Sequence, residues 1–143
     1  MNIRIVYHSS TGNTEKLAQA IADMLNIKAE HIGKDDISFV DETDILFIGD
    51  GIYWNSMHNK TKKFISQLDS SKIRNAVVFG TYGNQTKIGD ILKDSLVSKG
   101  INVIGTPFTC KGASVGTKNQ GHPDDNDLAM VCDYAREILK TLV

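Results

Sequence analysis

Cysteine and proline are both scarce in this sequence, with 2 residues of each among 143. Cys110 and Cys132 lie far apart and lack the spacing of metal ligands, so we expect two reduced thiols, no disulfide framework and no bound metal. The chain also lacks an apolar run of about 18 residues, and its first residues do not have the pattern of a signal peptide. We therefore expect a cytoplasmic protein that makes no contact with a membrane.

An excess of charge of either sign is missing as well. The chain carries 16 basic and 17 acidic residues, for a formal net charge of −1. This balance argues against nucleic-acid binding, which usually requires a strongly basic surface. With 41% hydrophobic residues, the chain has the composition of a globular protein, and residues 1–143 are predicted to form a single domain.

Apolar segments of two kinds alternate along the chain. Short runs rich in β-branched residues predict strands at 2–7, 27–32, 44–49, 76–79 and 101–104. Between and after them, apolar residues at helical spacing predict helices at 14–25, 58–68, 88–99 and 124–142. Alternation of this kind predicts an α/β fold with a doubly wound, five-stranded parallel sheet and helices on both faces.

A polar loop joins the first predicted strand to the first helix. It consists of Ser9, Ser10, Thr11, Gly12, Asn13 and Thr14. Hydroxyl groups and the free N–H groups at the start of a helix suit an anion such as phosphate. The loop contains neither the lysine of a nucleotide-triphosphate loop nor the three spaced glycines of a dinucleotide site. The same residue types are also common in turns and helix caps, so the loop taken alone supports both interpretations.

Residues 5–21, with the sequence IVYHSSTGNTEKLAQAI, resemble the flavodoxin signature from end to end. The resemblance implies a non-covalently bound FMN, with the six residues of the polar loop as ligands of its 5′-phosphate. It also implies the flavodoxin-like strand order 2-1-3-4-5, in which the ligand lies outside the carboxyl ends of strands 1 and 3.

Two further loops follow predicted strands at the same edge of the sheet. A lone tryptophan is usually a core residue, but the resemblance implies that Trp54 stacks on the flavin ring. It further implies that a peptide at Asn55 and Ser56 turns over on reduction, and asparagine tolerates the positive φ that this requires. The resemblance also places Thr81, Tyr82 and Gly83 at the cofactor, with Tyr82 as the candidate for the second face of the ring.

No catalytic side chain is predicted. The 4 histidines do not pair at a metal-ligand spacing, and His31 and His58 are best interpreted as surface or hydrogen-bonded residues. Chain order alone supports no Ser-His-Asp or Cys-His arrangement, so the flavin would carry any redox chemistry.

The segment 106–123 departs from short-chain flavodoxins by its length, because an α/β unit needs only about 2–6 residues between a strand and a helix. It contains Lys111 and Lys118, and no acidic residue occurs from 106 through 122. Two interpretations remain open, namely an insertion without function and a lid that borders the flavin.

Three functions are compatible with these observations. The complete signature and the chain length favour a low-potential one-electron carrier that serves redox partner proteins. The near-zero charge and the long segment 106–123 favour instead a small FMN-dependent reductase of quinones, metals or nitro compounds, so that whether the chain is an enzyme stays open. A binding module that has lost FMN is disfavoured by the intact loop.

Overall fold

The structure is a computed structural model that describes residues 1–52, 55–83, 87–113 and 119–142. Five strands form one parallel sheet in the order β2-β1-β3-β4-β5. The strands are β1 Ile3–Tyr7, β2 Ala29–His31, β3 Ile45–Gly51, β4 Ala76–Tyr82 and β5 Phe108–Lys111. The α-helices are α1 Asn13–Leu25, α2 Asn59–Ser66, α3 Ile88–Ser98 and α4 Asp125–Lys140, and a 3-10 turn spans Ser70–Lys72. The predicted fold class and strand order are thus confirmed.

Two hydrophobic clusters lie on opposite faces of the sheet. On one face, Ile5 and Phe47 pack with Leu17 of α1 and Val131 of α4. On the other face, side chains of the same two strands pack with α2 and α3. Val6 of β1 and Ile48 of β3 lie there with Ile65 of α2 and Leu92 of α3. Burial on both faces explains why the central strands are continuous apolar runs rather than alternating ones.

The last strand is not where the sequence predicted it. In the predicted strand 101–104, Val103 forms only an isolated parallel bridge with Ala76. Gly105 then turns the chain with a φ of 72°, and a Cβ there would overlap Cδ1 of Ile138. Pro107 follows and has no N–H to donate to a ladder. The chain rejoins the sheet as β5, so the predicted long segment 106–123 contains a strand and the excursion proper begins at residue 112.

The remaining predicted strands and helices are present, with ends that differ by a few residues. Within the part of the chain that the structure describes, no helix is long and apolar enough to cross a membrane.

Candidate functional site

A cavity opens at the carboxyl edge of the sheet, where the predicted loops meet. Its volume of about 460 Å³ lies within the range typical of small-molecule sites. Its walls come from the ends of β1, β3, β4 and β5 and from the start of α1. The lining residues are Ser9, Thr11, Asn13, Thr14, Gly51, Ile52, Thr81, Tyr82, Gly83, Gly112 and Ala113.

The first wall is the polar loop that precedes α1. Gly12 has a φ of 90° and precedes the helix, and its N–H donates to Oγ of Ser9 at 3.0 Å. Among the described residues, no side chain caps the first turn of α1, whereas α2 and α4 are capped by His58 and Asp124. The start of α1 therefore combines a positive helix-dipole end with N–H groups that a ligand can use.

Two buried threonines join the first wall to the wall formed by β4. Oγ1 of Thr14 lies 2.9 Å from Oγ1 of Thr81, and both side chains are almost fully buried. Of the six residues predicted to hold phosphate, four line the cavity, while Ser10 and Gly12 belong to the loop without lining it.

The second wall follows β3 and consists of Gly51 and Ile52. The predicted stacking residue Trp54 lies outside the described residues. Asn55 has a φ of 66°, which is the left-handed conformation that the flavodoxin resemblance requires near this position. Neither Asn55 nor Ser56 lines the cavity, so the structure does not bring these two predicted residues to its surface.

The segment that follows β5 is held against the cavity by two asparagine side chains. Nδ2 of Asn13 donates to the carbonyl oxygen of Ala113, and Nδ2 of Asn119 donates to that of Gly83, both at 2.8 Å. A Cβ at Gly112 would lie 2.9 Å from Nδ2 of Asn13, so a larger residue there would require the Asn13 side chain to shift. Gly112 and Ala113 thus lie beside the cavity, where the lid interpretation of the segment 106–123 expects them, and Lys118 lies outside the described residues.

Three histidines and one aspartate form a group that the sequence did not reveal, and none of them lines the cavity. Nδ1 of His8 lies 3.1 Å from Oδ1 of Asp50, and the rings of His8 and His58 stack with centroids 4.0 Å apart. The ring of His31 meets that of His8 edge-on at 5.7 Å. Their sequence positions are far apart, but His8, His31 and Asp50 all stand at the carboxyl ends of neighbouring strands, which is the signal that could have found them.

The Asp50 carboxylate is fully buried and satisfied by hydrogen bonds. Its Oδ1 accepts from the backbone N–H of Gly51, and its Oδ2 accepts from that of His58, each at 2.8 Å. Burial and the neighbouring His8 lower the pKa of His58, and the Asp50 carboxylate opposes this shift. Asp50 therefore ties the end of β3 to the start of α2 and holds the second wall in place.

A second group, His122, Asp124 and Asp127, places its nitrogen and oxygen atoms within 4.8 Å of one another. Oδ2 of Asp127 accepts from Nδ1 of His122 at 2.8 Å and from the backbone N–H of Asp124 at 2.9 Å. The Asp124 side chain in turn accepts from the N–H of Asp127, which completes a capping box. These contacts account for the group as the N-terminal cap of α4.

Comparison with known proteins places this geometry in a family. A model of the flavodoxin domain matches residues 4–116. An uncharacterized protein of Methanocaldococcus jannaschii is 32% identical over 138 residues, which cover 90% of this chain and 91% of that protein.

Two solved flavodoxins have the same fold. A flavodoxin from the domain Archaea superposes with a TM-score of 0.74 at 18% identity, over 96% of this chain and 99% of that one. A short-chain flavodoxin associated with a non-canonical PDU bacterial microcompartment superposes with a TM-score of 0.73 at 21% identity, over the whole of both chains. Because the family model matches most of this chain, the chain belongs to the flavodoxin domain family, whose members use a flavin cofactor.

Proposed function

We propose that this protein binds FMN in the cavity and carries single electrons between partner proteins. The observation that carries the proposal is the start of α1, where an uncapped helix end faces a cavity lined by hydroxyl and amide side chains. Such a site stabilises a terminal phosphate through N–H groups, hydroxyls and the helix dipole.

The residues present fit FMN better than a larger flavin nucleotide. The loop from Ser9 to Thr14 offers several hydrogen-bonding groups around one point, which suits a single terminal phosphate. A dinucleotide site needs a second anchoring point for the adenylate, and the signature offers none. In this assignment, Ser9, Ser10, Thr11, Gly12, Asn13 and Thr14 hold the phosphate.

The flavin ring would lie between the loops that follow β3 and β4. Trp54 and Tyr82 supply the two aromatic faces, with Thr81 and Gly83 beside the ring and with Asn55 and Ser56 as the peptide that responds to reduction. The flavin supplies the redox chemistry, while these residues orient it and keep water from its faces. The left-handed conformation of Asn55 supports this assignment, because a residue already at positive φ lowers the free energy needed for the peptide to turn over.

One observation supports the alternative, a small FMN-dependent reductase. Gly112 and Ala113, in the segment after β5, form part of the cavity wall, where a substrate of the flavin would enter. The net charge of −1 also gives little electrostatic steering toward basic protein partners. The same cavity could thus admit a small acceptor.

An anaerobic reductive titration of the FMN-loaded protein separates the two functions. For the carrier, we expect two resolved one-electron steps in the visible spectrum and slow reaction with quinones or nitro compounds. A single two-electron step with rapid turnover of such an acceptor would establish the reductase instead. Titration of the apoprotein with FMN, FAD and riboflavin tests the cofactor itself, and equal affinity for FMN and riboflavin would refute the assignment of the phosphate loop.

A further inference from the structure

Basic and acidic residues are divided unevenly between two parts of the chain, although the net charge is only −1. Residues 51–123 contain 10 of the 16 basic residues and only 3 of the 17 acidic ones. This part includes α2 and α3, which cover one face of the sheet, while α1 and α4 on the other face belong to the acidic remainder. Most of the positive excess therefore lies on the side of α2 and α3.

Helix α2 carries the most concentrated positive charge on this side. Lys60, Lys62 and Lys63 are all exposed on it, and no acidic residue occurs from 51 through 68. Lys99 follows α3 and lies at the other end of α2, where its Nζ donates to the carbonyl oxygen of Ser66 at 3.0 Å. We refer to Lys60, Lys62, Lys63 and Lys99 as the lysine face.

None of the four cations of the lysine face forms an ion pair with a described residue. Asp69, which follows α2, caps the 3-10 turn instead. In α4, by contrast, the basic residues are paired within the helix, Arg136 with Asp133 at 2.8 Å and Lys140 with Glu137 at 3.1 Å. The positive charge of the lysine face is thus available to a partner.

The placement of these lysines does not serve the stability of their helix. Lys60 stands in the first turn of α2, which has no acidic residue, although the helix dipole favours acidic residues there. Lys60 and Lys63 are also neighbours on the helix surface, where like charges repel. The same chain follows the stabilising rule in α4, with Asp125 and Asp127 in the first turn and Lys140 in the last. A local choice that opposes stability is typical of a functional surface.

The lysine face begins next to the cavity. Gly51 and Ile52, at the end of β3, form the second wall of the cavity. Asp50 ties this wall to α2, because its Oδ2 accepts from the backbone N–H of His58 at the helix start. Lys60 lies in the turn that follows, so a protein seated on the lysine face would lie beside the second wall.

We propose that the lysine face is the docking surface for an electron-transfer protein with an acidic surface, which gives one electron to the flavin or takes one from it. The inference rests on the proposed carrier function and specifies the chemistry of its partner. Opposite charges speed the encounter of two proteins and fix their orientation, and the acidic remainder of this chain would repel the same partner elsewhere. The face is only as long as α2, roughly 12 Å, which fits a patch on a protein better than an extended polyanion or a membrane.

Nitrogen-labelled full-length protein, titrated with soluble polyglutamate, maps the surface without FMN. At low salt, we expect amide shifts that are concentrated in α2 and around Lys99. They should fade as the salt concentration rises through about 0.1 M, where charges more than about 10 Å apart are screened. Polylysine should instead shift amides around Asp133 and Glu137 of α4. Shifts from polyglutamate that scatter over the whole surface would overturn the proposal.

Two double variants of equal net charge test the position of the charge. Lys60→Glu with Lys63→Glu reverses the lysine face, while Lys28→Glu with Lys140→Glu reverses two exposed lysines elsewhere. At about 0.1 M salt, we expect the first variant to bind polyglutamate roughly tenfold more weakly than the parent and the second to bind nearly as the parent does. Equal weakening in both variants would mean that net charge alone matters and would overturn the proposal.

The single variant Lys60→Glu separates docking from stability. It places an acidic residue in the first turn of α2, so it should unfold at a higher urea concentration than the parent. It should nevertheless bind polyglutamate more weakly. A variant that binds polyglutamate as the parent does would exclude Lys60 from the docking surface and overturn its assignment.

Two small oxidants test whether the lysine face acts on electron transfer. Ferricyanide, an anion, and hexaammineruthenium(III), a cation, each take one electron from the reduced flavin of the FMN-loaded protein. The net charge of −1 alone predicts that ferricyanide reacts more slowly as salt is removed, whereas the lysine face predicts that it reacts faster. Lys60→Glu with Lys63→Glu should lose this acceleration, and Lys28→Glu with Lys140→Glu should keep it. A parent rate with ferricyanide that does not rise at low salt would overturn the proposal.

These experiments also distinguish the inference from the proposed function. If the protein binds no FMN, the proposed function fails, but the polyglutamate experiments still decide whether the lysine face is a docking surface for acidic groups. At about 0.15 M salt, the parent should bind neither a single-stranded oligonucleotide nor vesicles of anionic lipid, and it should not self-associate through this face. Any such binding or self-association that Lys60→Glu with Lys63→Glu abolishes would assign the face to that other occupant and overturn the proposal.

Discussion

Single buried side chains determine how the protein reacts with thiol reagents. Cys110 is buried and unpaired, and burial, with Asp127 and Asp124 nearby, raises its pKa to about 12. Burial also raises the pKa of Cys132, whose Sγ contacts the carbonyl oxygen of Ala20 at 3.5 Å. Since the thiolate is the reactive form, we expect slow reaction of the native protein with an aromatic disulfide reagent at neutral pH. After denaturation, 2 thiols per chain should react at once, and equally fast reaction of the native protein would contradict this expectation.

The hydroxyl of Thr14 provides a test of the phosphate loop. Thr14 is 1% exposed and lines the cavity, so Thr14→Val removes one hydroxyl and keeps the shape of the side chain. We expect the free energy of FMN binding to weaken by roughly 1.5–3 kcal/mol, the scale of a hydrogen bond to a charged group, with little change in riboflavin affinity. Isothermal titration with each flavin measures the difference, and equal losses for both would place the hydroxyl outside phosphate recognition.

Thr61 of α2 is the matched control for this substitution. It is also fully buried, but its Oγ1 has no hydrogen-bond partner among the described residues. Thr61→Val removes an unsatisfied polar group, so we expect an unchanged FMN affinity and a free energy of unfolding that is higher by roughly 1 kcal/mol. A destabilised Thr61→Val would show that this hydroxyl has a partner.

Residues that lie together in the sequence could be assigned from the sequence, and residues brought together by the sheet could not. The loop from Ser9 to Thr14 is contiguous, and its composition together with the flavodoxin resemblance predicts an anion site. His31 and Asp50 approach this loop only because β2 and β3 flank β1. The contact of Asn13 with Ala113 depends on the position of β5, which the sequence misplaced.

The start of α4 is an element whose stability should depend on pH. Although burial of the Asp127 carboxyl opposes the shift, its hydrogen bonds with His122 and with the backbone of Asp124 lower its pKa below the usual 3.8. A lowered pKa stabilises the folded state above the unfolded value, and this stabilisation is lost as the pH falls through the folded value. Asp127→Asn should therefore lower the free energy of unfolding by roughly 1 kcal/mol near neutral pH.

Urea unfolding at several pH values measures this difference. The difference in the free energy of unfolding between the parent and Asp127→Asn should be largest above about pH 4. It should disappear in more acidic solution, where the parent carboxyl is also protonated. Asp133→Asn is the control, because Asp133 lies in the same helix with an exposed side chain paired to Arg136. If the two free energies of unfolding still differ at low pH, the shape of the Asp127 side chain rather than its charge stabilises the fold.

Elements with a strong apolar pattern were predictable, and the edge strand was not. β1 and β3 are buried on both faces and stand out as apolar runs. β5 has the sequence FTCK with one buried residue, so nothing local distinguishes it from a loop. The run 101–104 is more apolar and has the stronger strand pattern. It forms only the bridge of Val103 with Ala76, because Gly105 and Pro107 follow it directly, and the ladder with β4 begins only after them. The place of β5 beside β4 is therefore set by tertiary packing.

For the molecule as a whole, FMN should act as a stabilising ligand. A ligand that binds only the folded state raises the free energy of unfolding by about 2.7 kcal/mol when present at 100 times its dissociation constant. We expect thermal unfolding of the apoprotein to shift upward with FMN and to shift much less with riboflavin at the same concentration, because only FMN carries the phosphate that would contact the start of α1 in the proposed site. Calorimetry measures both shifts, and an equal shift would indicate that the ring alone contributes to binding.

The hydrogen bond between Asn13 and Ala113 spans 100 positions of the chain. A chain emerges from the ribosome N-terminus first, at about 5–20 residues per second. The polar loop therefore emerges several seconds before Ala113, which completes the cavity wall. No finished pocket exists until residue 113 has left the ribosome. A ligand of this cavity therefore cannot act as a template for the earlier part of the nascent chain.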